Sequence, residues 1–138
     1  MLKTLIAAAG LALMLPGAAA HADDQKRSQP KLYSVLFYAD WCSSCKLLDP
    51  KIERARAKAE LDQQPVLFVR FDLTDADTTA QSELLAESLG LSAYLERNGG
   101  RTGYAVLVNA ATGEQVSRFT RQMSDEAIGM AIKVALAL

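Results

Sequence analysis

Apolar residues change their spacing several times along this chain, and the changes predict its elements. From Lys31 to Tyr38 the run K-L-Y-S-V-L-F-Y is rich in β-branched and aromatic residues, which predicts a buried strand. From about Cys42 to Glu60 the spacing becomes helical: Leu48, Ile52, Ala55 and Ala59 share one face, while Lys51, Arg54 and Lys58 take the other. Pro50 interrupts this helix and is expected to kink it, because proline lacks the amide donor and its ring crowds the preceding turn. Pro65 to Leu73 is apolar on both faces and predicts a second strand, central in its sheet. Asp75 to Asp77 can cap a second helix whose apolar Ala80, Leu84, Leu85 and Leu89 lead to Gly90. Leu91 to Arg97 is a further helical turn closed by Asn98-Gly99-Gly100. Tyr104 to Val108 and Glu114 to Phe119 predict a hairpin around a turn at Asn109 to Gly113. Ser124 caps a last helix with Ile128, Ile132 and Leu136 on one side.

The order is strand, helix, strand, helix, strand, strand, helix. Early alternation followed by a hairpin implies an α/β fold with a mixed sheet and helices on both faces. Parallel neighbours in such a sheet need right-handed crossovers. The chain contains no internal repeat and no low-complexity tract.

The first 22 residues stand apart from this pattern. Lys3 supplies a positive start, Leu5 to Leu15 an apolar stretch too short to span a bilayer comfortably, and Ala20-His21-Ala22 the small-residue spacing of a cleavage site. Met1 to Ala22 therefore reads as a secretory signal peptide, and Asp23 to Pro30 as a flexible polar leader. Residues 31–138 make one domain. The expectation is a periplasmic protein with no stable membrane insertion of the mature chain. Lys3 is the one Lys, Arg, Asp or Glu in the first 22 residues, so the mature chain carries 14 basic against 16 acidic residues, a net charge of −2. Charges of both signs are interspersed without a basic stripe, which argues against a nucleic-acid partner.

The single histidine, His21, falls inside the predicted signal peptide. A Cys-His pair, a His-ligated zinc site and a histidine-held haem each lose their essential residue. The chain has two cysteines, Cys42 and Cys45, just after the first predicted strand and at the start of a helix. As a structural staple they would enclose only two residues, where loop closure stabilises least. Two chemistries remain: a dithiol that cycles with a disulfide, or a two-sulfur site for a soft ion such as Cu(I). For the dithiol, a helix N-terminus offers unsatisfied N–H groups and a positive dipole end, which favour the thiolate. Cys42 sits at that end and is the expected nucleophile; Cys45, one turn on, is the expected resolver of a mixed disulfide. No cofactor is expected beyond the redox-active Cys42–Cys45 disulfide. Asp40 and Lys46 flank the pair and can tune its charge.

Tyr38-Ala39-Asp40-Trp41-Cys42-x-x-Cys45-Lys46, with a strand before it and Pro50 five residues after Cys45, resembles the thioredoxin superfamily over nearly all of the predicted mature sequence. The likeness extends to the periplasmic C-terminal thioredoxin-like domain of the transmembrane disulfide reductase DsbD, whose Val-Thr after a strand is matched by Leu73-Thr74. The resemblance implies a three-layer thioredoxin-like fold with a central mixed sheet of four to five strands. It also implies an exported thiol–disulfide oxidoreductase that reduces partner protein disulfides and is recharged by a membrane electron donor of the DsbD or CcdA type. Trp41 becomes a substrate contact, and Arg70 the counterpart of a basic residue near the family's buried aspartate.

The chain also departs from that family. Leu36 stands six residues before Cys42, where thioredoxins keep the buried aspartate that assists proton transfer. The family's cis-proline position, which pairs with bound peptide, falls at Gly103, with Thr102 as the alternative, and the prolines here are only at 16, 30, 50 and 65. A cis bond is not expected there, since without proline it costs about 2.5–4 kcal/mol. Loss of that proline, which shields the dithiol face, motivates the Cu(I) alternative. Ser92 to Arg101 is longer than the family connection and is expected to lie beside the active site and select partners. Tyr94 and Tyr104 are expected in the core or half-buried, with a wall over the dithiol as the alternative.

Overall fold

The structure is a computed structural model that describes residues 29–138. The predicted signal peptide and most of the leader lie outside the described residues. Strand β1 (Leu32–Tyr38) is buried along most of its length and has a partner on each side. It runs parallel to β2 (Val66–Asp72) and antiparallel to β3 (Tyr104–Asn109), and β4 (Gln115–Thr120) extends β3 antiparallel. The resulting four-stranded mixed sheet has the order β2-β1-β3-β4.

Strand alternation divides the core into two layers. Leu32, Leu36, Leu107 and Phe119 pack with Leu48 and Ile52 of α1 (Ser43–Lys58) and Ile128 and Ile132 of α4 (Asp125–Leu136). Val35, Phe37, Phe71 and Val106 pack on the other face with Ala86 of α2 (Ala76–Ser88) and with Tyr94 and Leu95 of α3 (Ser92–Asn98). Helix α1 runs unbroken through Pro50 but ends at Lys58, and Glu60 turns the chain with a left-handed φ of 53° into a short 3₁₀ turn, Leu61–Gln63. Ser124 caps α4 as expected, its Oγ accepting the Ala127 N–H at 3.1 Å.

One expectation is corrected. The β2 run is not central: it lies at an edge of the sheet among the described residues, and Arg70 and Leu67 are exposed. Its apolar density resembled two-sided burial, but the more thoroughly buried β1 and β3 take the centre. In α2, Leu84 and Leu85 do not face the core; they are 69 % and 40 % exposed. The buried positions are Ser82 and Ala86. A capping box between Asp75 and Thr78 sets where the helix starts. Ser82 turns inward because its hydroxyl satisfies the β2 backbone, accepting the Asp72 N–H at 2.8 Å and donating to the Asp72 carbonyl at 3.0 Å.

Candidate active site

The end of β1 and the start of α1 meet at the two cysteines. Cys42 is the N-cap of α1, in extended conformation, and its Sγ accepts the Cys45 N–H at 3.1 Å. No acidic residue occupies the first turn of the helix, so Cys42 is the group placed to meet the positive end of the dipole. The two cysteines form a disulfide with Cα atoms 5.3 Å apart. Cys42 is 7 % exposed and Cys45 is fully buried, packed with Ala39 and Tyr38. The sulfur that can be approached is thus the first one. Cys45 Sγ lies 3.6 Å from the Phe37 carbonyl, which can accept its S–H once the pair is reduced.

The loop after β2 clamps the segment leading into the motif. Leu73 N–H donates to the Tyr38 carbonyl at 2.8 Å, and Thr74 Oγ1 accepts the Asp40 N–H at 2.9 Å. The Thr74 carbonyl accepts the Trp41 indole N–H at 3.1 Å, while Asp72 Oδ1 holds the Thr74 N–H at 3.0 Å. Trp41 is therefore fixed at one edge, yet it is 64 % exposed and presents its ring beside Cys42. Sequence reasoning noted Thr74 only as part of a resemblance. Its signal as a clamp was a hydroxyl residue just past the strand that pairs with β1.

Gly103 is the residue that closes on the dithiol. Its φ is +90°, its N–H donates to the Phe37 carbonyl at 3.0 Å, and no described peptide bond is cis. A Cβ built on it would lie 2.8 Å from the Ser44 Cβ and 3.4 Å from Cys42 Sγ. Proline, locked near φ −65° and lacking an N–H, is incompatible with this backbone. Thr102 beside it is half-buried. Leu36, at the position of the family's aspartate, is buried in the layer beneath α1.

The remaining predicted residues are more peripheral. Asp40 is exposed and accepts the Tyr38 hydroxyl at 3.2 Å. Desolvation, followed by this hydrogen bond, pushes the Tyr38 hydroxyl above its ordinary value. Lys46 is exposed and has no ion pair among the described residues. Arg70 pairs with Asp49 at 2.5 Å and lies over the Tyr38 ring at 4.7 Å. Asp49, its partner, was not anticipated. Tyr104 is buried against Phe37, with ring centroids 5.0 Å apart, and Tyr94 is half-buried with its hydroxyl on the Gly113 carbonyl. Both take the core or half-buried positions expected of them. Of the 92–101 segment, α3 packs against the sheet face that holds Phe37, and its exit leads through Thr102 to Gly103. Reduced, the same two sulfurs are the pair that would take Cu(I). The described residues add no group of three His, Cys, Asp or Glu side chains able to hold a metal.

A mixed sheet between two helical layers, with a C-x-x-C disulfide at a helix N-terminus, defines a dithiol protein of thioredoxin-like fold. The sequence profile of the thioredoxin family matches residues 19–86. A thioredoxin from Echinococcus granulosus is 32 % identical over 81 residues, which cover 59 % of this chain and 70 % of that protein. The chain belongs to the thioredoxin family. Among solved structures, the thioredoxin-related protein from Neisseria meningitidis serogroup B superposes with a TM-score of 0.53 at 15 % identity, covering 89 % of this chain and 93 % of that one. A thiol:disulfide interchange protein of the thioredoxin family from Chlorobium tepidum TLS gives 0.51 at 17 % identity, covering 82 % and 84 %. These two likenesses establish the fold. Family and C-x-x-C pair together support a thiol–disulfide oxidoreductase.

Proposed function

We propose that this chain is an exported thiol–disulfide oxidoreductase that acts as a reductant of partner protein disulfides. The observation that carries the reading is the asymmetry of the pair: Cys42 Sγ at the helix cap beside an exposed Trp41, Cys45 fully buried behind it. In the reduced protein the Cys42 thiolate attacks one sulfur of a partner disulfide. A Cys42–partner disulfide forms, and the other partner sulfur leaves as a thiolate that takes up a proton. Cys45, deprotonated, then attacks Cys42 Sγ, restores the Cys42–Cys45 disulfide and releases the second partner thiol. Two electrons and two protons pass from the dithiol to the partner, and a membrane electron donor of the DsbD or CcdA type returns them.

The reducing direction is supported by how little stabilises the reduced form. The hydrogen bond on Cys42 Sγ among the described residues is one backbone N–H, and Cys45 lies among apolar groups. The helix terminus favours the Cys42 thiolate, but Cys45 has no such donor among the described residues, and a dithiol stabilised at one sulfur only is a better electron donor than one stabilised at both. Export is supported by Lys3, the Leu5 to Leu15 stretch and Ala20-His21-Ala22. No helix among the described residues is long and apolar enough to cross a membrane.

Cys45→Ser is the direct test, because removing the resolver should strand the partner on Cys42 as a mixed disulfide visible on non-reducing gels. Cys42→Ser should strand nothing. The reading falls if Cys45→Ser captures no partner and Cys42 alkylates no faster than glutathione. Equilibration against glutathione decides direction: a potential near about −270 mV supports the reductant, and one near about −120 mV reverses it.

A further inference from the structure

On the sheet face opposite α1, a recess of about 360 Å³ opens between α3 and the β3–β4 hairpin. Phe37, Tyr104 and Val106 form its floor, and three arginines line it: Arg97 and Arg101 from α3 and its exit, and Arg118 from β4. No carboxylate is among the lining residues. The contrast with other arginines is informative. Arg54, Arg56 and Arg70 each pair with a carboxylate, whereas Arg97, Arg101 and Arg118 have no such pair among the described residues. Three cations around one recess repel each other, and no carboxylate in its wall neutralises them.

The guanidiniums are also held in place. Arg97 lies over the Tyr94 ring at 4.7 Å and Arg118 over the Tyr104 ring at 3.8 Å. Arg101 donates through Nε to the Asn98 carbonyl at 2.8 Å and through a terminal nitrogen to the Arg97 carbonyl at 2.9 Å. Asn98, 2 % exposed, fixes this corner: its Nδ2 donates to the Arg101 carbonyl at 2.7 Å and its Oδ1 accepts the Tyr104 hydroxyl. Stacking occupies the guanidinium faces of Arg97 and Arg118 and leaves their N–H edges free, the geometry that binds phosphate oxygens in pairs. The volume suits a small ligand.

We propose that this recess is a binding site for a compact phosphoanion, a small molecule carrying phosphate or diphosphate groups. It does not depend on the dithiol chemistry. Titration calorimetry of the oxidised full chain with inorganic pyrophosphate, at matched ionic strength, should give saturable binding with Kd below about 1 mM. Losing one charge-assisted contact should weaken it roughly tenfold in Arg97→Gln and again in Arg118→Gln. Arg54→Gln, elsewhere on the surface, should leave Kd unchanged, and unaltered melting of the ligand-free variants establishes that they fold. The site is refuted if pyrophosphate does not saturate below about 10 mM, or if the double Arg97→Gln, Arg118→Gln variant binds as the parent does. Co-sedimentation with phosphatidate-containing phosphatidylcholine vesicles, lost in that double variant, would identify a lipid headgroup as the source of the phosphate. Pyrophosphate binding without such co-sedimentation would identify a free phosphoanion.

Discussion

Gly103→Ala tests the geometry of the dithiol most sharply. At φ +90° an L-residue carries a strain of about 1–2 kcal/mol that glycine avoids. The new methyl would stand 2.8 Å from the Ser44 Cβ, closer than carbon atoms pack, and relieving it adds overpacking of about 1–3 kcal/mol. The low end of the sum, about 2 kcal/mol, corresponds to a melting-point drop of roughly 8–16 °C in a domain of this size. Urea unfolding of the oxidised protein should report the same loss. Ser44→Gly removes the atom that the methyl meets but not the backbone strain. A double-mutant cycle should therefore return at least about 1 kcal/mol of coupling between the two positions. Because the methyl also lies 3.4 Å from Cys42 Sγ, iodoacetamide should alkylate reduced Gly103→Ala more slowly than the parent. A stability change under about 0.5 kcal/mol, or no coupling to Ser44, would refute the placement of Gly103 over the motif.

Two further outcomes follow from the structure. Lys58 Nζ, 2.8 Å from Asp125 Oδ2, holds the Asp125 carboxyl well below the usual carboxylate range. A depressed pKa contributes stability that is full above the unfolded value of about 3.9 and is lost as pH falls through the folded one. Melting temperature should thus fall less steeply below about pH 4 in Asp125→Asn than in the parent, and equal slopes would exclude the effect. Trp41→Ala removes an exposed ring and one hydrogen bond to Thr74, so stability should change by no more than about 1.5 kcal/mol. Its KM for a protein disulfide should rise about tenfold while the rate with hydroxyethyl disulfide is kept; equal loss on both would remove the contact role.

The reactive pair and the order of elements were legible because each rested on a local signal. Cys42 and Cys45 announce themselves by spacing, and Ser124, Asp75 and Asn98-Gly99 mark helix ends by their own chemistry. What local pattern could not supply was competition between elements. The β2 run and Leu84 with Leu85 are apolar enough for a core position. Which strand takes the centre depends on how β1 and β3 pair, and which side of α2 turns inward depends on Ser82 reaching Asp72. The same limit hid the clamp at Thr74 and the Asp49–Arg70 pair, since each joins elements distant along the chain. Gly103 was located by its place before β3, but how closely a side chain there would meet Ser44 and Cys42 emerges only when the loop folds back on α1.

Two sulfurs three residues apart have opposite surroundings, and the Phe37 carbonyl is where the difference arises. Cys42 faces a backbone N–H at a helix terminus, an arrangement that favours negative sulfur. Cys45 faces a carbonyl oxygen at 3.6 Å, which can accept its S–H on reduction. Leu36 places an apolar side chain where a carboxylate could otherwise collect that proton, and Gly103 N–H shares the same Phe37 carbonyl. In the proposed exchange Cys45 must give up its proton before it attacks Cys42 Sγ and resolves the mixed disulfide. The surroundings of Cys42 therefore bear on the attack in that exchange, and those of Cys45 on the step that resolves the mixed disulfide.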